Sequence, residues 1–229
     1  MTRTHEARTV DDLLVELSHW DTPALSNALQ RLGVNPAERS FTDGSISLMT
    51  GVRSVGVAVT ATMRAAQPGD DGVAVSELHR LVADVHHPVM VLLEDLDEAP
   101  GAGAFLGEVN GTLLDALGII GFATNGRVRD LDDLRQMRYT VHARGLCVAR
   151  AHMRLTTVNE PVSVAGMRVR PGDIVHADQH GLLRIPLELA AQAIAAVQDV
   201  RDEEQRIVTW ARSSDFTLEG LLALRRVRH

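Results

Sequence analysis

The chain has 229 residues, a net charge of −7 and a hydrophobic fraction of 45 %, values that suit a globular protein large enough to bury a core. The acidic balance argues against a general nucleic-acid-binding protein, and the aromatic fraction of 3 % leaves few rings on which bases could stack. The one cysteine, Cys147, excludes an internal disulfide, and no apolar run approaches the roughly 18 residues of a membrane span. We therefore expect a soluble cytoplasmic protein without a signal peptide.

Two short helices are predicted near the N-terminus. Apolar residues recur on one helical face within residues 10–20. The second helix can be capped by Asp21 or Thr22, carries Pro23 in its first turn and ends at Gly33. This pair could pack on the main body or on a neighbouring subunit.

The next segments predict alternating strands and helices. Residues 54–63 are β-branched and partly alternating, which favours a strand, and apolar spacing predicts a helix over about 73–85. Residues 89–95, VMVLLED, form a continuous apolar run that is typical of a strand covered on both faces. A glycine-rich loop follows at 99–103.

The second half of the chain is rich in short strands. Turn residues separate its segments, and Ala165-Gly166 suits a hairpin turn. The expected strands cover residues 139–143, 145–149, 174–178 and 182–185, with the hairpin at 161–170. A long helix is predicted from Pro186 to about Arg212, followed by a final helix that Asp215 could cap.

No internal repeat or low-complexity linker divides the chain. We interpret it as a single α/β domain over residues 1–229. Its expected parts are N-terminal helices at 10–33, an α/β core at 50–185 and C-terminal helices at 186–229.

Residues 107–133, GEVNGTLLDALGIIGFATNGRVRDLDD, hold the best candidates for chemistry. A helix followed by a strand brings its two ends together, so Glu108 can lie close to Arg129 and Asp130. Each acid alone is equally compatible with a structural role at a helix N-terminus. Arg129 and Asp130 could also form an ordinary surface ion pair.

The combination of these residues favours a bound metal and oxo-acid. The turn before Arg129 follows an apolar strand, and open α/β sheets bind ligands at the carboxyl ends of their strands. A helix that begins near Gly107 offers free N–H groups to a carboxylate, and Gly103 and Gly107 would let the ligand approach closely. Carboxylates such as Asp130 and Glu108, completed by water, suit Mg²⁺.

The motif in these residues resembles that of the RraA-like proteins and the class II 4-hydroxy-4-methyl-2-oxoglutarate aldolases. That motif is an acid, twenty intervening residues and Arg-Asp, here Glu108, residues 109–128 and Arg129-Asp130. The similarity extends to DTPALSNALQRLG near the start and VRPGDIVHADQHGLLRIP near the end. Two departures stand beside it: the first acid is Glu where characterised aldolases often carry Asp, and Val109-Asn110 replaces a frequent leucine pair.

The resemblance implies an α/β fold of the swivelling ββα sandwich type with helical N- and C-terminal extensions. It also implies homotrimers or hexamers with sites at subunit interfaces. Asp130 would bind Mg²⁺ or Mn²⁺ mostly through water, and Glu108 would support the metal-bound waters. Arg129 would hold the substrate's carboxylate and keto end, and the backbone of Gly107, Glu108, Val109 and Asn110 would cradle the carboxylate.

The aldolases use an acid from an adjacent subunit's C-terminal region as a base, and Glu203 and Glu204 are the candidates here. We select Glu204, while a solvated acidic helix face remains the alternative reading for both. His152, His176 and His180 also accumulate in the second half of the chain. Their strand–turn setting does not suit a zinc site, so each is either a pocket residue or a packed or surface histidine.

The implied activity is metal-dependent cleavage of a 2-oxo-dicarboxylic acid to release pyruvate. It would take the form of 4-hydroxy-4-methyl-2-oxoglutarate aldolase activity, oxaloacetate decarboxylase activity, or both. The alternative is a non-catalytic regulator that binds ribonuclease E, as some RraA-type proteins do. The acid at the first motif position, Glu108, favours the enzyme. No nucleic acid and no membrane is expected as a partner.

Overall fold

The computed structural model describes residues 8–35, 38–70 and 72–227. Within these ranges the helices are α1 (Val10–Ser18), α2 (Thr22–Arg31), α3 (Val75–Asp84), α4 (Glu108–Ala116), α5 (Leu131–Leu134), α6 (Leu187–Ala211) and α7 (Leu218–Val227). The strands are β1 (Ser47–Thr50), β2 (Ser54–Arg64), β3 (Val89–Asp95), β4 (Gly121–Thr124), β5 (Thr140–Ala143), β6 (Arg154–Val158), β7 (Val162–Val164), β8 (Met167–Val169), β9 (Ile174–Asp178) and β10 (Gly181–Ile185). The mixed α/β class with helices at both ends is confirmed.

The main sheet has eight strands, seven of them in the order β1-β5-β4-β3-β2-β9-β10. The central strands β2, β3, β4 and β5 run parallel, and antiparallel strands flank them on both sides. One edge of the long strand β2 pairs with β3, while its other edge pairs first with β9 and then with β6. Sharing one edge between two partners curls the sheet around β2.

The buried strand β3 shows why the sheet is covered on both faces. Val91 and Leu93 pack in one apolar cluster with α3, α4 and Phe122. Met90 and Leu92 alternate with them and pack against the β7–β8 hairpin. A run of consecutive apolar residues is what a strand needs when both of its faces are buried, so the sequence prediction for β3 is confirmed.

The terminal helices pack together on the main body. Apolar residues of α1, α2 and α6 form one cluster with the start of β2 and with β9 and β10. Asp21 caps α2, because its Oδ1 accepts a hydrogen bond of 2.8 Å from the Ala24 N–H. Of the two packing possibilities, the one on the main body is therefore present.

Local details differ from the sequence predictions at four places. Residues 145–149 do not form a strand, because their hydrogen bonds go to the turn after β4, and a single isolated bridge joins Leu146 to Val128. Thr217, rather than Asp215, caps α7, since its Oγ1 accepts from the Gly220 N–H at 3.1 Å. The short flanking strands β1 and β6 were not predicted.

The topology places three loops at one edge of the sheet. Parallel strands β3, β4 and β5 end on the same side, so the segments that follow them converge there. The helix α4 leads from β3 to β4, and its N-terminus begins at this edge. Among the described helices, none has both the length and the apolar character that a membrane crossing needs.

Candidate functional site at the start of α4

The ends of β3 and β4 are tied together by one side chain. Asn125 Oδ1 accepts a hydrogen bond of 2.7 Å from the Asp95 N–H, and Asn125 Nδ2 donates one of 3.0 Å to the Asp95 carbonyl. An amide side chain thus pairs with the backbone as another strand would. The clamp fixes the turn after β4 relative to the loop after β3.

The Asp95 carboxylate organises the loop behind the clamp. It is buried, and it accepts hydrogen bonds from the N–H groups of Gly101, at 2.6 Å, and Asp97, at 3.0 Å. Burial raises the pKa of this carboxyl above its ordinary value, although these backbone bonds oppose the rise. A Cβ on Gly126 would come within 2.9 Å of Asp95 Oδ2, so the turn needs glycine there. Asp95 is a structural acid that sequence reasoning did not identify.

The Arg129-Asp130 turn is held against the first turn of α4. The Arg129 N–H donates to the Leu106 carbonyl at 3.0 Å. Asp130 Oδ2 accepts from the Glu108 N–H at 3.0 Å and lies 3.3 Å from Arg129 Nε. The structure therefore brings the first acid of the motif and its Arg-Asp pair together, as the helix–strand geometry predicted.

Gly107 makes this contact possible. A Cβ on Gly107 would lie 2.5 Å from Asp130 Oδ2 and 3.0 Å from Arg129 Nε. The carbonyl of Arg150 fills the equivalent space at Gly103. Both glycines were expected to admit a ligand to the backbone, but the space at each one is filled by protein instead.

Asp130 is the N-cap residue of α5, yet its side chain makes no capping bond to that helix. Its carboxylate turns to α4, which decides against a simple N-cap role on its own helix. Its backbone has φ 53 and ψ 49, the left-handed region that residues other than glycine seldom adopt. Backbone strain of this kind concentrates at functional sites.

The backbone cradle expected at residues 107–110 is smaller than predicted. The Glu108 N–H already donates a hydrogen bond to Asp130 Oδ2. The N–H groups of Val109 and Asn110 make no hydrogen bond within the described part of the chain. The Asn110 side chain is engaged, because its Nδ2 donates to the Phe105 carbonyl at 2.8 Å. Two free donors remain at this positive helix end.

A cavity of about 430 Å³ opens beside the turn. Gly107, Val109, Asn110 and Arg129 line one part of it. The Arg129 side chain is 37 % exposed, so part of its guanidinium faces open space while Nε faces Asp130. The arrangement places a cation and free N–H groups around a volume large enough for a small acid.

The acids at the turn fit a cation that keeps most of its water. Asp130 Oδ2 takes both protein contacts, and Oδ1 accepts no hydrogen bond from any described residue. The Glu108 side chain is exposed on the adjacent turn. Within the described ranges, no group of three or more His, Cys, Asp or Glu side chains could enclose a metal ion. Two carboxylates suit Mg²⁺ or Mn²⁺ held largely through water and substrate.

The predicted base, Glu204, does not line this cavity within one chain. It lies on α6, where its Oε1 accepts a hydrogen bond of 3.1 Å from Asn27 Nδ2 on α2. Glu203 pairs with Arg31 at 3.0 Å. Both acids help to join α6 to α2, and the expectation that Glu204 serves a neighbouring subunit's site stays a prediction.

None of the three histidines of the second half lines the cavity. His176 is fully buried, with its Nε2 3.0 Å from the Trp20 carbonyl and its Nδ1 2.9 Å from Thr22 Oγ1. Burial lowers the pKa of His176 to about 4. His180 contacts Asp178, and His152 is exposed.

The comparisons with known proteins confirm the family resemblance. Residues 22–184 match the family model of the RraA-like proteins, which is described as aldolase/RraA. The chain belongs to the RraA-like family. A protein of Halalkalibacterium halodurans, named as a candidate 4-hydroxy-4-methyl-2-oxoglutarate aldolase, is 32 % identical over 71 residues, or 31 % of this chain and 34 % of that protein. This RraA-like chain spans 17 % to 44 % of the length of the first curated relatives that it matches.

Solved structures confirm the RraA-like fold. An uncharacterised protein of Pseudomonas syringae pv. tomato aligns over 96 % of both chains, with a TM-score of 0.74 and 26 % identity. Streptomyces coelicolor RraAS2, described as an unusual member of the RNase ES inhibitor RraA protein family, covers 87 % of this chain and 97 % of its own. Its TM-score is 0.71 at 21 % identity, which is evidence for the fold alone.

Proposed function

We propose that this RraA-like protein is a divalent-metal-dependent lyase that cleaves a carbon–carbon bond of a 2-oxo-dicarboxylic acid and releases pyruvate. The observation that carries the proposal is the junction at which Asp130 and Arg129 are held against the first turn of α4, beside a cavity. The names of relatives support the same class of reaction.

Asp130 and Glu108 are the proposed metal residues. Asp130 Oδ1 accepts no hydrogen bond from a described residue and would face the cation, while the exposed Glu108 side chain would order its water. When bound, Mg²⁺ or Mn²⁺ supplies a Lewis acid for the keto oxygen of the substrate. The Glu108 N–H holds Asp130 Oδ2 in place, so the carboxylate is oriented before any ligand arrives.

Arg129 and the free N–H groups of Val109 and Asn110 would bind the pyruvyl end. When the C3–C4 bond breaks, its electron pair moves toward the keto oxygen, and negative charge grows there. A fixed guanidinium stabilises developing charge more than it stabilises the neutral ketone, which lowers the barrier. Arg129 is fixed by its backbone bond to Leu106 and by its contact with Asp130.

The two reactions differ in their need for a base. Retro-aldol cleavage must remove the proton of the C4 hydroxyl, a role that we assign to Glu204 of a second copy. Oxaloacetate loses carbon dioxide without such a step. Decarboxylation therefore requires only the residues around α4, and aldol cleavage requires Glu204 as well.

An assembly of three or six copies, with sites at the subunit interfaces, is part of the proposal. One face of α4 carries apolar side chains that are exposed in the single chain: Val109 (69 %), Leu113 (46 %) and Leu117 (39 %). Val148, on the neighbouring loop, is 97 % exposed. Apolar side chains of this size beside the cavity favour a covering partner.

A substrate panel tests the proposed activity. We expect pyruvate release from oxaloacetate and from 4-hydroxy-4-methyl-2-oxoglutarate with Mg²⁺ or Mn²⁺, and loss of that release with a chelator. No metal-dependent pyruvate from oxaloacetate or from several 4-hydroxy-2-oxo acids would exclude the lyase. It would leave the alternative, a protein-binding regulator of ribonuclease E, to be tested by direct binding.

A further inference from the structure

The cavity beside Arg129 has a second wall that the proposed mechanism does not use. This wall is formed by α3 and by the loop between β5 and β6, and it carries Val75, His79, Arg150 and Met153. Val75 and Met153 are apolar. His79 and Arg150 are the polar groups on this side.

The imidazole of His79 lacks a partner. Its Nε2 is buried and makes no hydrogen bond with any residue that the structure describes. Buried polar atoms are almost always hydrogen-bonded, because an unsatisfied one loses its hydrogen bonds to water without replacement. Rotation of a histidine ring about χ2 is soft, so the ring can turn a nitrogen toward a ligand in the cavity that it lines.

The Arg150 side chain is also free to bind a ligand in the cavity. Its guanidinium forms no ion pair or hydrogen bond within the described ranges, although it lines a cavity. Its backbone is nevertheless anchored. Ala149 accepts from the Ala104 N–H at 3.1 Å, and the His152 N–H donates to Ala65 at 3.1 Å. A fixed backbone with a free guanidinium is what recognition of an anion needs.

We propose that His79 and Arg150 bind the second carboxylate of the substrate and thereby set a preference for dicarboxylic over monocarboxylic 2-oxo acids. This inference rests on the proposed function, because it takes Arg129 as the site of the first carboxylate. Arg150 supplies a guanidinium that can bind a carboxylate with two hydrogen bonds, and His79 adds one donor. Val75 and Met153 accommodate the carbon chain.

The ratio of kcat/KM for a dicarboxylic and a monocarboxylic substrate tests the assignment. The suitable pair is 4-hydroxy-4-methyl-2-oxoglutarate and 4-hydroxy-2-oxopentanoate. We expect Arg150→Gln to lower this ratio by about 10- to 100-fold, as befits the loss of a charge-assisted hydrogen bond. His79→Phe should lower it less, and His79→Gln, which retains a donor, should restore part of the loss.

Arg80→Gln is the matched control. Arg80 follows His79 on α3, is exposed, pairs with Glu77 and does not line the cavity. The ratio of kcat/KM for the dicarboxylic and the monocarboxylic substrate should be the same in Arg80→Gln as in the parent protein. An Arg150→Gln ratio equal to the parent's would overturn the inference.

Binding measurements separate this inference from the lyase proposal. Calorimetry with Mg²⁺ compares 2-oxoglutarate with 2-oxopentanoate, which differ by one carboxylate. The parent protein should bind 2-oxoglutarate more tightly, and Arg150→Gln should abolish the difference, even if no pyruvate is ever released. Equal binding of the two acids by the parent, or no binding of either, would refute the assignment of His79 and Arg150.

Discussion

At the scale of single residues, Gly107 decides whether the site can assemble. Its missing Cβ leaves the space in which Asp130 Oδ2 and Arg129 Nε meet the first turn of α4. The sequence suggested that this glycine admits a ligand. The structure shows that it admits two protein side chains, of which Arg129 also lines the cavity.

Replacement of this glycine gives the first prediction. Gly107→Ala should displace Asp130 and Arg129, lower pyruvate release by about 10-fold or more, and cost about 1–3 kcal/mol through overpacking. Steady-state kinetics and urea unfolding measure the two effects. Gly72→Ala is the control, since its nearest heavy atom would be 3.5 Å away. Parent-like kinetics for Gly107→Ala would show that the junction does not depend on this close approach.

At the scale of secondary-structure elements, the clamp between β3 and β4 positions the turn. Asn125 makes two hydrogen bonds to the backbone of Asp95, and both must break if the turn is to move. Asn125→Ala should therefore reduce the free energy of unfolding by about 1–3 kcal/mol and reduce pyruvate release as well.

Urea unfolding and hydrogen exchange of the Asp95 amide check the clamp. That amide should exchange faster in Asn125→Ala than in the parent protein. Unchanged exchange would mean that other contacts hold the two strand ends together. Asn27→Ala is the control for the exchange measurement alone, because Asn27 contacts Glu204 on α6 and not the strand ends.

The secondary-structure elements also show which parts of the fold the sequence could predict. The long strands and capped helices were predictable, because their apolar spacing and caps are local signals. The segment 145–149 was not, since its apolar residues bond to the turn after β4 rather than to a strand. The proximity of Glu108 to Arg129-Asp130 followed from the order helix, strand and turn.

The details of the site depended on long-range contacts. The sequence could not indicate that Asp130 would occupy the Glu108 N–H, because residues 22 positions apart share no local signal. Asp95 and Asn125 gave one weak sign, since Asp95 ends a buried strand and Asn125 directly follows the next one. His79 and Arg150 lie on separate elements, and only the folded chain brings both to the lining of one cavity.

At the scale of the whole molecule, His176 joins the N-terminal helices to the sheet. It lies on β9 and hydrogen-bonds to Trp20 and Thr22, between α1 and α2. Nε2 donates to the Trp20 carbonyl, so the neutral ring accepts at Nδ1 from the Thr22 hydroxyl. Protonation would remove that acceptor and place a charge in the core.

The pKa of His176 predicts a loss of stability in acid. Burial lowers it to about 4, against 6.5 ordinarily, so the stabilisation is complete above pH 6.5 and is lost as pH falls from 6.5 toward 4. The difference corresponds to about 3 kcal/mol. The free energy of unfolding of the parent protein should fall more steeply over this range than that of His176→Gln. The same pH dependence of the free energy of unfolding in the parent protein and in His176→Gln would contradict the prediction. His19→Gln, at an exposed position, serves as the control.

Two neighbouring acids, Asp130 and Asp132, allow a direct test of the proposed metal-dependent lyase site in the turn against α4. Asp130 faces α4, whereas Asp132 is 91 % exposed and pairs with Arg135. The measurement is pyruvate release from oxaloacetate with Mn²⁺, for Asp130→Asn and Asp132→Asn of equal folded content by circular dichroism. We expect a loss of about 100-fold or more for Asp130→Asn and at most about twofold for Asp132→Asn. Parent-like metal-dependent activity in Asp130→Asn would contradict the proposed lyase site.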